Sequence, residues 1–214
     1  MQTNHTPPEH QQHATTDTAS NQERKYFRIY PDMSFSSAPL LVWVNEQQMR
    51  VGFRPSRQLP FLGVNLQTAP FITFDRRKKR GKLIDAWPVL GMWFVSERLK
   101  QLLEQIDPQA FEFAATQVDY STFDEPGPAY WLCNLARQLD CIDDEKSKVT
   151  FQTQVDFKAY DLLIDVKMRP EVIGDAHAFR LVHMHGAQLV DDILVQAMTA
   201  AKMRAWRFEP IQQA

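Results

Sequence analysis

Apolar and polar positions change period several times along the chain, and each change marks an element. Tyr26, Arg28 and Tyr30 alternate with Phe27 and Ile29 in the two-residue period of a strand, and 40–44 reads as a second strand. Around 53–88, prolines at 55, 60, 70 and 88 and glycines at 52, 63 and 81 exclude long helices, leaving loops and short strands such as 71–74. A helical period then takes over. Ser96 is a suitable N-cap for a helix whose Leu99, Leu102, Leu103 and Ile106 share one face, and Pro108 stops it before the alternating Phe111-Glu112-Phe113.

The same succession recurs 95 positions further on, from 96 to 191. Asp191 takes the place of the cap, Leu194, Ala197, Met198 and Ala201 form the stripe, and Trp206-Arg207-Phe208 the strand. Val95 falls on Val190 and Ala110 on Ala205 without a gap. Between the units, Tyr130-Trp131 leads into a stretch whose Leu132, Leu135, Ala136, Leu139 and Ile142 fit a helical face. Strands are expected at 149–157, 162–166 and 178–184. The mixture predicts an α+β fold with mixed or antiparallel sheets, a few amphipathic helices and a duplicated helix–strand unit at 95–113 and 190–208. The expected layout is a tail over 1–23, a β-rich part over 24–84 and a main domain over 85–214.

Composition refines this picture. With 214 residues and 44% hydrophobic content the chain can bury roughly two thirds of its unfolded surface. The first 23 residues are rich in Gln, Thr, His, Asn and Pro without an apolar period, which predicts disorder. His5, His10 and His13 belong to that tail and have no cysteine or carboxylate at ligand spacing. Lys and Arg total 24 against 26 Asp and Glu, a balance that argues against a nucleic acid or membrane partner. Cys133 and Cys141, eight positions apart in the expected helix, are badly placed for a disulfide and suit a reducing compartment. The start of the chain has no basic and apolar leader pattern, and the apolar runs at 40–44 and 89–95 fall far short of the ~20 residues a bilayer needs. A cytoplasmic protein is expected.

Candidate chemistry is sparse. Neither G-x-G-x-x-G nor G-x-x-x-x-G-K occurs, nor H-E-x-x-H, nor G-x-S-x-G, so no cofactor or nucleophile motif is apparent. Both cysteines read as small buried hydrophobes. His177, His183 and His185 with Asp175 form a local cluster, but Phe179 and Leu181 share its parity. Asp161, Asp165 and Lys167 end an apolar strand in D-x-K, the pattern of a metal-dependent nuclease and also of an ordinary charged turn before Pro170. The basic run Arg76, Arg77, Lys78, Lys79, Arg80 and Lys82 is either a solvated loop tip or a grip for an acidic partner surface. Asp140, Asp143, Asp144 and Glu145 fall at the end of the helix expected from 132, where carboxylates oppose the macrodipole, and so suggest a partner-facing role.

One family likeness emerges from these residues. Trp93-Phe94-Val95-Ser96-Glu97-Arg98-Leu99-Lys100 through Phe111-Glu112-Phe113, Tyr130-Trp131-Leu132-Cys133-Asn134, Leu139-Asp140-Cys141-Ile142-Asp143, Phe179-Arg180-Leu181 and Trp206-Arg207-Phe208-Glu209-Pro210 occur in family order. Over about 85–210 the chain resembles the immunity-protein-eleven family of bacterial polymorphic toxin systems, formerly a domain of unknown function. The likeness implies a non-enzymatic protein that needs no cofactor. It would be made beside a toxin and bind that toxin's C-terminal effector domain, often a nuclease delivered by contact-dependent or type VI secretion machinery, blocking its active site or substrate groove. A homodimer is compatible with this reading. Val190-Asp191-Asp192 stands where the first unit has Val95-Ser96-Glu97, and the basic run lies outside the likeness, so partner contacts do not transfer. The alternatives are a metal-dependent hydrolase using Asp161, Asp165 and Lys167, or an adaptor that loads a secreted effector.

Overall fold

The structure, a computed structural model, describes residues 24–32, 38–50, 68–75, 81–153, 157–184 and 186–211. Its strands are β1 (Tyr26–Pro31), β2 (Leu40–Trp43), β3 (Phe71–Asp75), β4 (Ala86–Val89), β5 (Met92–Ser96), β6 (Phe111–Ala115) and β7 (Gln117–Asp119), followed by β8 (Tyr130–Leu135), β9 (Gln138–Leu139), β10 (Lys148–Phe151), β11 (Tyr160–Ile164), β12 (Ala178–Leu181), β13 (Gln188–Asp191) and β14 (Trp206–Pro210). The helices among the described residues are α1 (Glu46–Arg50), α2 (Glu97–Ile106), α3 (Pro170–Ile173) and α4 (Asp192–Ala200). This is the α+β class that the pattern predicts.

Two sheets carry the core, and each is covered on both faces. In β5, Trp93 and Val95 enter one apolar cluster while Met92 and Phe94 enter another, so the strand is buried at every position. It belongs to an antiparallel sheet ordered β4-β5-β8-β6. The second sheet runs β14-β1-β13-β12-β9, antiparallel except for the β9–β12 pair. Between the sheets lie α2 and α4, whose buried Leu99, Leu103, Leu194 and Met198 join Val95, Val190, Ile29 and Cys133 in one cluster. The outer face of the first sheet is covered by the β2-β3-β7 sheet through Trp43, Ile72 and Phe74. The outer face of the second meets the β10–β11 pair and α3 through Tyr160, Val166 and Ile173.

Residues 95–113 and 190–208 make several hydrogen bonds of the same kind. Ser96 N donates to Asp85 O at 2.9 Å, and Asp191 N to His177 O at 3.0 Å. Each cap side chain then accepts from the third helical amide, Leu99 N at 3.4 Å and Leu194 N at 3.0 Å. Glu97 N reaches Ala129 O at 3.0 Å and Asp192 N reaches Lys25 O at 2.9 Å; both acceptors precede a tyrosine that opens the middle strand. In one sheet β8 lies between β5 and β6, and in the other β1 lies between β13 and β14. The chain order differs, since β8 follows its unit and β1 precedes its own. Thus the first of the described strands is laid into the sheet of the last two described.

Caps are the local cause of both helix starts. Ser96 also donates from Oγ to Asp85 Oδ1 at 2.8 Å. Ser96→Ala should therefore lower the unfolding free energy by about 1–2 kcal/mol in urea titrations. An unchanged midpoint would mean that the cap contributes nothing.

The helix expected from Leu132 is absent, and its place is taken by β8, a two-residue link and β9. Leu132, Cys133, Asn134 and Leu135 are all buried, because β8 is enclosed on two faces like β5. An apolar run of that kind satisfies helical spacing by accident. The strand expected over 149–157 is β10, which ends at Phe151 after a register shift against β11. β11 begins earlier than expected and ends where Asp165 takes a positive φ of 47°. β12 stops at Leu181, with residues 182–184 in a turn and bend.

Candidate partner-binding surface

The acidic cluster follows β9 and includes the turn at 144–146. No helix precedes it, so the unfavourable macrodipole expected for these carboxylates does not exist. Cations hold most of them. Lys158 Nζ lies 2.5 Å from Asp144 Oδ2 and 3.8 Å from Asp140 Oδ1. Asp140 also has Arg169 at 3.7 Å and His183 Nε2 at 3.5 Å, while Asp143 pairs with Lys146 at 2.8 Å. Tyr160 donates its hydroxyl to Asp144 Oδ1 at 2.5 Å, and Lys158 sits over the Tyr160 ring, 5.2 Å from its centre. Burial alone would raise the Asp144 pKa, but hydrogen bonds from Lys158 and Tyr160 outweigh it and hold the carboxyl below its ordinary value. The hydrogen bond from Lys146 does the same for Asp143. Glu145 is exposed at the tip of this mixed-charge surface.

Of the basic run, Lys82 is exposed, while Arg76, Arg77, Lys78, Lys79 and Arg80 lie outside the described residues. Asp161, Asp165 and Lys167 have separate surroundings. Asp165 is ion-paired to Lys148, Lys167 N donates to Ser147 Oγ at 2.8 Å, and Asp161 is exposed. The histidines are likewise divided. His177 Nδ1 meets Asp191 Oδ2 at 2.7 Å, His183 Nδ1 lies 3.1 Å from Lys158 O, Asp175 is exposed, and His185 lies outside the described residues. Among the described residues, no three His, Cys, Asp or Glu side chains come together as a metal site would require. Cys133 and Cys141 are unpaired and buried in different clusters. Burial pushes the Cys141 thiol up to about 12 and the Cys133 thiol well above its ordinary value, which suits neither for nucleophilic work.

A cleft of about 340 Å³ opens on the outer face of the second sheet. Its floor contains a cross-strand row: Glu209 on β14 faces Arg28 on β1, and Arg28 faces Leu189 on β13. Leu181, Met184 and Ala187 continue the floor, Asp161, Leu162 and Leu163 of β11 form one wall, and Pro210 and Ile211 form the other. Arg28 donates from Nη2 to Met184 Sδ at 3.9 Å, a weak acceptor, while Glu209 is held by Arg207 at 2.8 Å. The parity of Arg28 with Tyr26 and Tyr30 in β1 is the one sequence signal for this floor. The residues that close the cleft come from distant segments and gave none.

The described chain is thus an α+β protein of two helix-and-strand lobes, with ion-paired polar patches and an open cleft on its surface. A family model described as Immunity protein family (Imm11) matches residues 25–213, and the chain belongs to that family. It is an immunity protein, and its partner is a toxin. No curated protein matches the chain at a significant level. The family match begins at β1, well upstream of residue 85, in keeping with the place of β1 between β13 and β14. Among the described residues, no helix is long and apolar enough to cross a membrane.

Proposed function

We propose that this immunity protein neutralises the C-terminal effector domain of a toxin made in the same cell, by stoichiometric binding in the cytoplasm that occludes the toxin's active site or substrate groove. It does so without chemistry of its own. The family match over residues 25–213, which takes in both lobes, carries this reading. The charges of the basic run Arg76, Arg77, Lys78, Lys79, Arg80 and Lys82 and of the acidic cluster Asp140, Asp143, Asp144 and Glu145 are the ones expected to steer the encounter. Protection demands tight binding, because a leaky inhibitor leaves toxin active; a nanomolar complex corresponds to about 12 kcal/mol.

Co-expression with the product of the adjacent gene tests the reading. The neighbour alone should stop growth, and this chain should restore it and co-purify with the neighbour's C-terminal domain. Charge reversal at Asp143, Asp144 and Glu145 should slow association several-fold at low salt. A neighbour equally toxic with and without this chain would overturn the proposal.

A further inference from the structure

The two lobes differ in what lies on their outer faces, and the difference singles out the cleft. Pairing makes Leu132 of β8 the counterpart of Arg28 of β1: Leu132 faces Phe94 and Ala114, as Arg28 faces Leu189 and Glu209. Both flanking residues again differ by 95 positions (94 to 189, 114 to 209). In the first lobe this row is roofed by the chain itself. Phe94 and Leu132 are fully buried, Trp43 at the end of β2 stands edge-on to Phe94 at 5.2 Å, and Ile72 and Phe74 of β3 share their cluster. In the second lobe Leu189 is buried as well, but Arg28 and Glu209 of the corresponding row are half-buried and line the open cleft.

We infer that an extended segment of the toxin occupies this cleft, lying beside β11 and over Arg28 and Glu209 much as strands of this chain lie over the counterpart row. The proposal rests on the immunity reading and adds the place and chemistry of the contact. Among the described strands β11 pairs in a ladder with β10 alone, and Asp161, Leu162 and Leu163 on it line the cleft, so its other edge is available on that side. A strand edge pairs with an extended chain through the backbone. Leu162 is 49% exposed and supplies apolar wall for such a chain to cover. Charge complementarity specifies the rest. The half-buried Arg28 guanidinium has a thioether for its contact, and Glu209, its cross-strand neighbour, is engaged by Arg207. The segment therefore brings an Asp or Glu flanked by apolar side chains, and the carboxylate bonds to Arg28.

The test uses the full chain and the adjacent gene's C-terminal domain. Arg28→Glu should weaken binding about 100-fold, chiefly through faster dissociation, and Leu162→Asp about 10-fold. Arg28→Leu places there the residue that the first lobe carries at the equivalent position, and should keep the melting temperature while losing affinity. In the wild-type complex, backbone amides of 160–164 should gain protection from hydrogen exchange. If the wild type binds its toxin while all three variants bind equally well and exchange at 160–164 is unchanged, the cleft assignment is wrong and the immunity reading stands. If the wild type neither binds nor protects, both fall.

Discussion

Arg180→Ala should cost about 3–5 kcal/mol of unfolding free energy, one of the largest losses available from a single side chain in this protein. Arg180 lies on β12 and is buried, yet its hydrogen bonds leave its own lobe. Nε donates to Leu135 O at 2.7 Å, and Nη2 to Gly91 O at 2.6 Å and to Asn134 Oδ1 at 3.4 Å. A side chain of the second sheet thereby satisfies carbonyls of β8 and of the β4–β5 turn in the first. Burial lowers its pKa to about 10, so the guanidinium remains charged at neutral pH. Truncation leaves a cavity and buried carbonyls with fewer donors, while desolvation of the lost cation offsets part of the cost. Arg180→Met, which keeps the stem, should lose about 2 kcal/mol, and Arg180→Lys should rescue little because a single ammonium cannot span the same acceptors. Urea unfolding with comparable m-values measures all three. A loss below about 1 kcal/mol for alanine, or full rescue by lysine, would show that the Arg180 hydrogen bonds contribute little to joining the lobes.

What the sequence revealed of this fold depended on how local each interaction was. The start of α2 was legible because its cap, its stripe and the stopping proline lie within a dozen residues, and the cap bond to Leu99 N is itself local. The start of α4 was legible for the same reason. The stretch from Tyr130 misled because Leu132 and Leu135 are buried as members of a strand enclosed by β5, β6 and the β2-β3-β7 sheet, none of it local. A strand covered on two faces loses the alternation by which strands are recognised. The position of β1 was hidden likewise, because its register with β13 and β14 joins positions more than 160 residues apart. The acidic cluster was found by composition, but its neutralisation by Lys158 and Arg169 was not, since these partners lie 14 and 29 residues beyond Asp144 and Asp140. The cleft gathers residues 28, 161–163, 181, 184, 187, 189 and 209–211, and only the parity of Arg28 hinted at it.

Asp85 is the place where acid should weaken the fold most visibly. It precedes β4 and is buried, accepting from Ser96 Oγ at 2.8 Å, Arg98 Nε at 2.7 Å, Arg98 Nη2 at 2.6 Å and Arg204 N at 2.7 Å. The carboxylate thus ties the cap of α2 to the loop between α4 and β14, again across the lobes. Burial on its own would raise its pKa, but the hydrogen bonds from Arg98, Arg204 and Ser96 together outweigh it and hold the carboxyl below its ordinary 3.8. A carboxyl whose pKa is depressed by folding contributes stability that is fully present above the unfolded value and is lost as pH falls through the folded one. Asp85→Asn should therefore be less stable than wild type at pH 7, by about 2–3 kcal/mol for charge-assisted bonds reduced to neutral ones. As pH falls below about 4 the wild type should lose this contribution while the variant has none to lose, so the two should converge. Asp85→Ala, which removes the carboxylate shared by the half-exposed Arg98 guanidinium, the buried Ser96 hydroxyl and the Arg204 amide, should cost about 3–4 kcal/mol at neutral pH. Thermal melts of wild type and Asp85→Asn at pH 7, 4 and 3 decide the matter: a narrowing gap places the acid sensitivity at Asp85, and a constant gap places it elsewhere.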